Sequence, residues 1–143
     1  MARPPRESFE LVVSLPVPPA HLYAMWLHPV WHGHFTGGAE AIVTDLVGEL
    51  YSCWDGYIEG KNLTLEADRR IVQSWRTEDF AAADPDSILE LLLEPEGAGT
   101  RLTLRHTELP PGTAATYRQG WEDHYFVHMR PVLAELGGAP RPA

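Results

Sequence analysis

Leu89, Leu91 and Leu93 alternate with Ile88, Glu90 and Leu92, and Leu102 and Leu104 alternate with Arg101, Thr103 and Arg105. A period of two puts the leucines on one face of a sheet and the charges on the other. Strands are predicted over residues 8–15, 41–45, 49–54, 57–66, 70–78, 87–94 and 100–107, separated by short turns as in an antiparallel meander. Asp55-Gly56 suits a tight hairpin, and Glu96-Gly97-Ala98-Gly99 suits another turn. Gly60 interrupts its strand, which predicts a bulge or sharp bend there.

Helical spacing appears twice. Pro18 and Pro19 open a short helix over 19–27, with Leu22, Tyr23 and Trp26 on one face. It stops at Pro29, and a second short turn of helix carrying Trp31 and Phe35 ends in Gly37-Gly38. After Pro110-Pro111-Gly112 a long helix is predicted over 113–136, where Tyr117, Trp121, Tyr125, His128, Val132 and Leu136 fall at steps of three or four. Pro131 should bend that helix by removing its bond to the Val127 carbonyl. The predicted unit is a single domain over 8–137, with flexible ends at 1–7 and 138–143.

Composition narrows what such a domain does. With 143 residues, 44% of them hydrophobic, the chain can bury a core without disulfides. The single cysteine, Cys53, excludes an internal disulfide and any multi-cysteine metal site, and its predicted role is a small strand residue. A net charge of −9, with Lys61 as the only lysine, argues against a nucleic-acid partner. No apolar run has the length of a membrane span, and Phe9–Leu15 is not a secretory h-region, so the cytoplasm is the expected location.

The order strand, two short helices, six strands and a long helix is a helix-grip arrangement of class α+β, a curved antiparallel sheet wrapped around the final helix. In this order the sequence resembles the Aha-type (activator of Hsp90 ATPase homologue) branch of the START-like superfamily. The residues carrying the resemblance are Trp26, Trp31, Gly48-Glu49-Leu50-Tyr51, Asp55-Gly56, Gly60, Arg70-Ile71-Val72 with Trp75, Gly99-Thr100-Arg101-Leu102-Thr103-Leu104 with His106, and Gly120-Trp121. The family usually has a paired glycine in place of Val47-Gly48, and an aliphatic residue in place of Tyr125 and His128. The resemblance implies a cavity-containing binding fold with no shared catalytic set.

A sheet curved around one helix encloses more volume than side chains fill, and such gaps become apolar pockets with a few polar groups. The expected ligand-binding residues are Trp31, Phe35, Tyr51, Trp54, Trp75, Tyr117, Trp121, Tyr125 and His128, opposite the leucine strands. The expected function is the binding of a hydrophobic small molecule without a cofactor. Two alternatives stand beside it. One is a protein-interaction or co-chaperone-like stress-response module, with a homodimer also expected. The other is a cyclase- or hydrolase-type enzyme using His128 and a neighbouring tyrosine as an acid/base pair.

His21, His28, His32 and His34 crowd one stretch, but Pro29 and Gly33 break any regular ligand spacing and the HExxH pattern is absent. They are expected to be exposed loop histidines rather than a metal site. His124 and His128 stand at a ligand spacing, with His124 toward the edge of the aromatic stripe. No nucleophile elbow, P-loop or dinucleotide fingerprint occurs.

Overall fold

The alternating strands fold into one six-stranded antiparallel sheet in the order β1-β6-β5-β4-β3-β2. The structure, a computed structural model, describes residues 5–138. Its strands are β1 (Glu7–Leu15), β2 (Leu50–Cys53), β3 (Ile58–Glu66), β4 (Arg70–Thr77), β5 (Ser87–Glu96) and β6 (Gly99–Leu109). Between β1 and β2 lie α1 (Pro19–Trp26) and α2 (Pro29–Phe35). After β6 the described residues form one long helical segment: α3 (Ala114–Trp121), a π-helical stretch Glu122–Phe126, and α4 (Val127–Gly138). This is the helix-grip fold. Among the described residues no helix is long and apolar enough to cross a membrane.

Leu89, Leu91, Leu93, Leu102 and Leu104 all point inward and are buried. The opposite face carries ion pairs such as Arg70–Glu90 at 2.7 Å and Arg105–Glu10 at 2.8 Å. Ion pairs at the surface of a sheet contribute little energy, so the inward leucines fix which face is which.

Three expectations are corrected. Residues 41–45 form no strand, only an isolated bridge from Ile42 to Ser52. The side-chain amide of Asn62 donates to the carbonyls of Thr44 and Leu46 at 3.0 and 3.1 Å, taking acceptors that a ladder would have used. Gly60 is not itself the bulge: the β3–β4 register shifts between Asn62 and Thr64. What Gly60 permits is close approach, since a Cβ there would stand 1.9 Å from the Ser74 carbonyl oxygen.

The third concerns the last helix. The departure from α geometry lies at Glu122–Phe126, while the helix runs on through Pro131. A π turn inserts about one residue into the helical repeat and rotates everything downstream. The buried stripe therefore continues from Trp121 and Tyr125 through Phe126, Met129 and Leu133. His128 and Val132 are only half-buried and Leu136 is exposed.

At the N-terminus Glu7 begins β1 and its carboxylate accepts the Ala114 N–H at 2.9 Å, tying the first strand to the start of α3. That bond holds the Glu7 carboxyl below its ordinary pKa. Arg6 donates to the carbonyls of Pro85 and Glu108. Of the ends expected to be flexible, residues 1–4 and 139–143 lie outside the described residues.

Candidate functional site

The interface between sheet and helix has two ends. Under α1 and α4, Leu22, Trp26, Ile71, Leu91, Leu93, Leu102 and Met129 close around a void of only about 10 Å³. Under α3 and the π-helical stretch the packing opens into a cleft of about 280 Å³. The β2–β3 hairpin supplies Trp54, Tyr57 and Ile58 to it, β4 supplies Trp75, and the helix supplies Thr116, Tyr117, Gly120, Trp121, His124 and Tyr125. Gly120 leaves room, since a Cβ there would meet nothing closer than 3.7 Å.

The rings are set at defined angles. Trp75, Trp121 and Tyr125 form a row, with centroids 6.1 and 4.7 Å apart and planes within 36° and 35° of each other. Tyr117 stands at 86° to Trp75, and Trp54 at 80° to Tyr125. Trp54 is held with φ of 55°, a left-handed conformation that costs a bulky residue about 1–3 kcal/mol. It sits at the head of a turn in which Asp55 and Gly56 are also left-handed, clasped by the Asp55 carboxylate accepting the Glu40 N–H at 2.7 Å.

Polar groups gather at the cleft's rim. The Tyr57 hydroxyl donates to the Asp79 carboxylate. The hydroxyls of Thr77 and Tyr117 are 2.7 Å apart, and the Asp79 N–H donates to Thr77 Oγ1 at 3.1 Å. Burial, aided by the Asp79 carboxylate, pushes the Tyr57 phenol up to about 12.

Two buried histidines support the aromatic row. Trp121 donates its indole N–H to Nδ1 of His106 at 3.1 Å, so the proton of the neutral ring sits on Nε2, which donates to Ser87 Oγ at 2.9 Å. Ser87 in turn donates to the Trp75 carbonyl at 2.7 Å. His32 must donate from Nδ1 to the Trp26 carbonyl at 2.8 Å, which leaves Nε2 to accept the Tyr125 hydroxyl at 2.8 Å. Burial lowers His32 to about 4 and His106 to about 3. Both rings are therefore neutral framework at physiological pH.

The family profile of the Activator of Hsp90 ATPase homolog 1-like protein matches residues 16–133. The chain belongs to this family. Among solved structures, an HSP90 activator from Plasmodium falciparum superposes with a TM-score of 0.82 at 23% identity, covering 89% of this chain and 96% of that one. CalU16 from Micromonospora echinospora gives 0.70 at 24% identity, covering 93% and 82%. The Aha1 dimer from Colwellia psychrerythraea gives 0.72 at 10%, covering 92% and 96%. No curated protein matches the sequence.

In this member of the Hsp90-ATPase-activator-homologue family, Trp54, Trp75, Tyr117, Trp121 and Tyr125 come together in the cleft. The other expected residues lie elsewhere. Phe35 is fully buried against Trp26, with centroids 6.5 Å apart. Tyr51 points its hydroxyl at the Ser74 carbonyl, 2.6 Å away. Trp31 is half-buried and packs edge-on against His34. His128 is turned by the π stretch against Gly37, where an added Cβ would meet its ring at 3.0 Å.

The Tyr125 hydroxyl bonds to His32 rather than to His128, so the expected acid/base pair is not assembled. The histidine that reaches the cleft is His124, edge-on to Trp54 with centroids 5.6 Å apart. Tyr57, Ile58, Thr116 and Gly120 were also not anticipated; the signal for Tyr57 and Ile58 was their place just after Asp55-Gly56.

The histidine-rich stretch is corrected too. His32 is buried rather than exposed, whereas His28 accepts the Val30 N–H at the start of its own helix. Cys53 lies buried in β2, where burial raises its thiol to about 12 and leaves it unreactive.

Proposed function

We propose that this protein binds a small, largely apolar ligand in the cleft between the β2–β3 hairpin, Trp75 and α3. The observation that carries the reading is the contrast within one interface: a cleft of about 280 Å³ walled by aromatic rings, beside a closed end with a void of about 10 Å³. Its size is near the lower limit of small-molecule sites, about 300–1,000 Å³, and its makeup, apolar walls with polar groups at one edge, suits them. A bulky tryptophan held in a strained backbone at the rim supports the reading further. So does the likeness to DynU16, by description a putative protein in the dynemicin biosynthetic locus.

The test is a thermal-shift and native mass spectrometry screen with aromatic and aliphatic compounds, run on the protein and on Gly120→Leu. Filling the cleft at Gly120 should abolish binding without loss of folding. Absence of any stabilising compound, or equal binding by the variant, overturns the reading.

A second reading, an interaction module, draws on the likeness to the HSP90 activator and to the Aha1 dimer. It also draws on Ile42, Leu46, Val47 and Leu50, which are exposed beside the edge strand β2. Light scattering for self-association and the ATPase rate of a purified Hsp90-type chaperone test it. A monomer with no effect on that rate removes it.

A further inference from the structure

The cleft's walls and rim together select for charge. Trp75, Trp121 and Tyr125 make a nearly parallel row, while Tyr117 and Trp54 stand close to perpendicular to its two ends. Five such rings around one space make its lining predominantly π surface, which attracts a cation more than a neutral group of the same shape. No lysine or arginine is among the lining residues; His124 is the one basic side chain there. Arg76, on the same strand as Trp75, is committed elsewhere, to Asp86 at 2.9 Å and to the Asp84 and Ala81 carbonyls.

Asp79 brings a carboxylate to the rim, where it accepts the hydroxyl of Tyr57, a lining residue. Donation of a phenol proton to a carboxylate enriches the ring's electron density, so Asp79 acts on a cation both through space and through Tyr57. The net charge of −9 adds a field of the same sign around the mouth.

We infer that the ligand of this cleft carries a fixed positive charge, an alkylated ammonium group enclosed by Trp54, Trp75, Tyr117 and Trp121 and balanced by Asp79. The inference rests on the proposed function and narrows it to cationic amphiphiles.

Choline and 3,3-dimethylbutan-1-ol differ in the replacement of N⁺ by carbon, and each can be titrated at equal ionic strength while tryptophan fluorescence and calorimetry are followed. Choline should bind about tenfold more tightly. Asp79→Asn, a change at an exposed side chain, should lower the choline affinity at least threefold and leave the alcohol unaffected. Gly120→Leu should abolish both. Equal binding of the two probes overturns the cation and leaves the apolar cleft standing, whereas binding of neither overturns the cleft as a site as well. A preference that survives Asp79→Asn unchanged overturns the balancing role of that carboxylate.

Discussion

The two ends of the sheet–helix interface share strand β4 and lie under one continuous helical segment, yet one is packed solid and the other is open. At the closed end branched and flexible aliphatic side chains, Leu91, Leu93, Leu102 and Met129, interdigitate and leave about 10 Å³. At the open end flat rings meet at steep angles, and rings so arranged leave a gap that no neighbour fills. Backbone geometry assists: the π stretch shifts the helical register there, and Gly120 withholds a side chain. A cleft in this fold is thus a local departure from good packing rather than a property of the whole grip.

Two buried imidazoles brace the aromatic row, one of them also bonded to the Trp26 carbonyl beside the closed end, and they give the largest effect for probing the comparison. His32 supports Trp26 and Tyr125, and His106 supports Trp121 and Trp75 through Ser87. Both have folded-state values below the ordinary histidine value of 6.5, about 4 and about 3, so the unfolded chain binds protons that the folded one refuses. Stability is therefore complete above pH 6.5 and falls as pH drops toward those values. Between pH 7 and pH 5 each ring should cost about 2 kcal/mol, about 4 together, at 1.36 kcal/mol per pH unit. Urea unfolding across that range measures it. His32→Gln and His106→Gln should each remove about half of the slope, and a stability that does not change over this range would contradict the burial of both rings.

Next in size is truncation at the closed end. Leu91→Ala removes a side chain with 2% exposure beside a void too small to relax, and should cost about 3 kcal/mol within the usual range of 2–5. Denaturation midpoints with unchanged slopes are the check. Gly120→Leu, which adds volume at the open end, should cost nothing by the same assay. If both variants lose similar stability, the two ends are equally tight and the contrast fails.

These ends were not equally legible in the sequence. The closed end follows from alternation: Leu89, Leu91, Leu93, Leu102 and Leu104 declare their face, and each is buried. The helix-grip order followed from the same pattern with its turns, and the family from a resemblance carried by residues such as Gly48-Glu49-Leu50-Tyr51, Asp55-Gly56 and Gly120-Trp121. The open end was harder, because its shape depends on where a helix departs from its repeat. The steps of three and four that joined Tyr117, Trp121 and Tyr125 carried on to His128, whereas the π stretch turned His128 away and the histidine at the cleft is His124, three residues after Trp121. No residue type in Glu122–Phe126 announces a wide turn. Tyr51 and Phe35, aromatics like their neighbours, are separated from the cleft only by tertiary packing, to which spacing is blind.

The smallest effect isolates what Gly120 does. A glycine within a helix costs about 0.5–1 kcal/mol relative to alanine, because the unfolded chain loses more freedom on folding and the helix gains no side-chain contact. Gly120 is helical, half-buried, and has no neighbour within 3.7 Å of a prospective Cβ, so neither sterics nor backbone angle requires it. Gly120→Ala should therefore stabilise the protein by that amount, a rise of a few degrees in Tm. Alanine narrows the cleft while leaucine-sized bulk fills it, so ligand affinity should fall slightly with Ala and vanish with Leu as stability stays level or rises. Opposite movement of stability and affinity along Gly, Ala and Leu is what a residue kept for space predicts. If Gly120→Ala instead destabilises the fold, the glycine serves the helix's own geometry through the π stretch, and the openness of that end is a consequence of the bend rather than of a missing side chain.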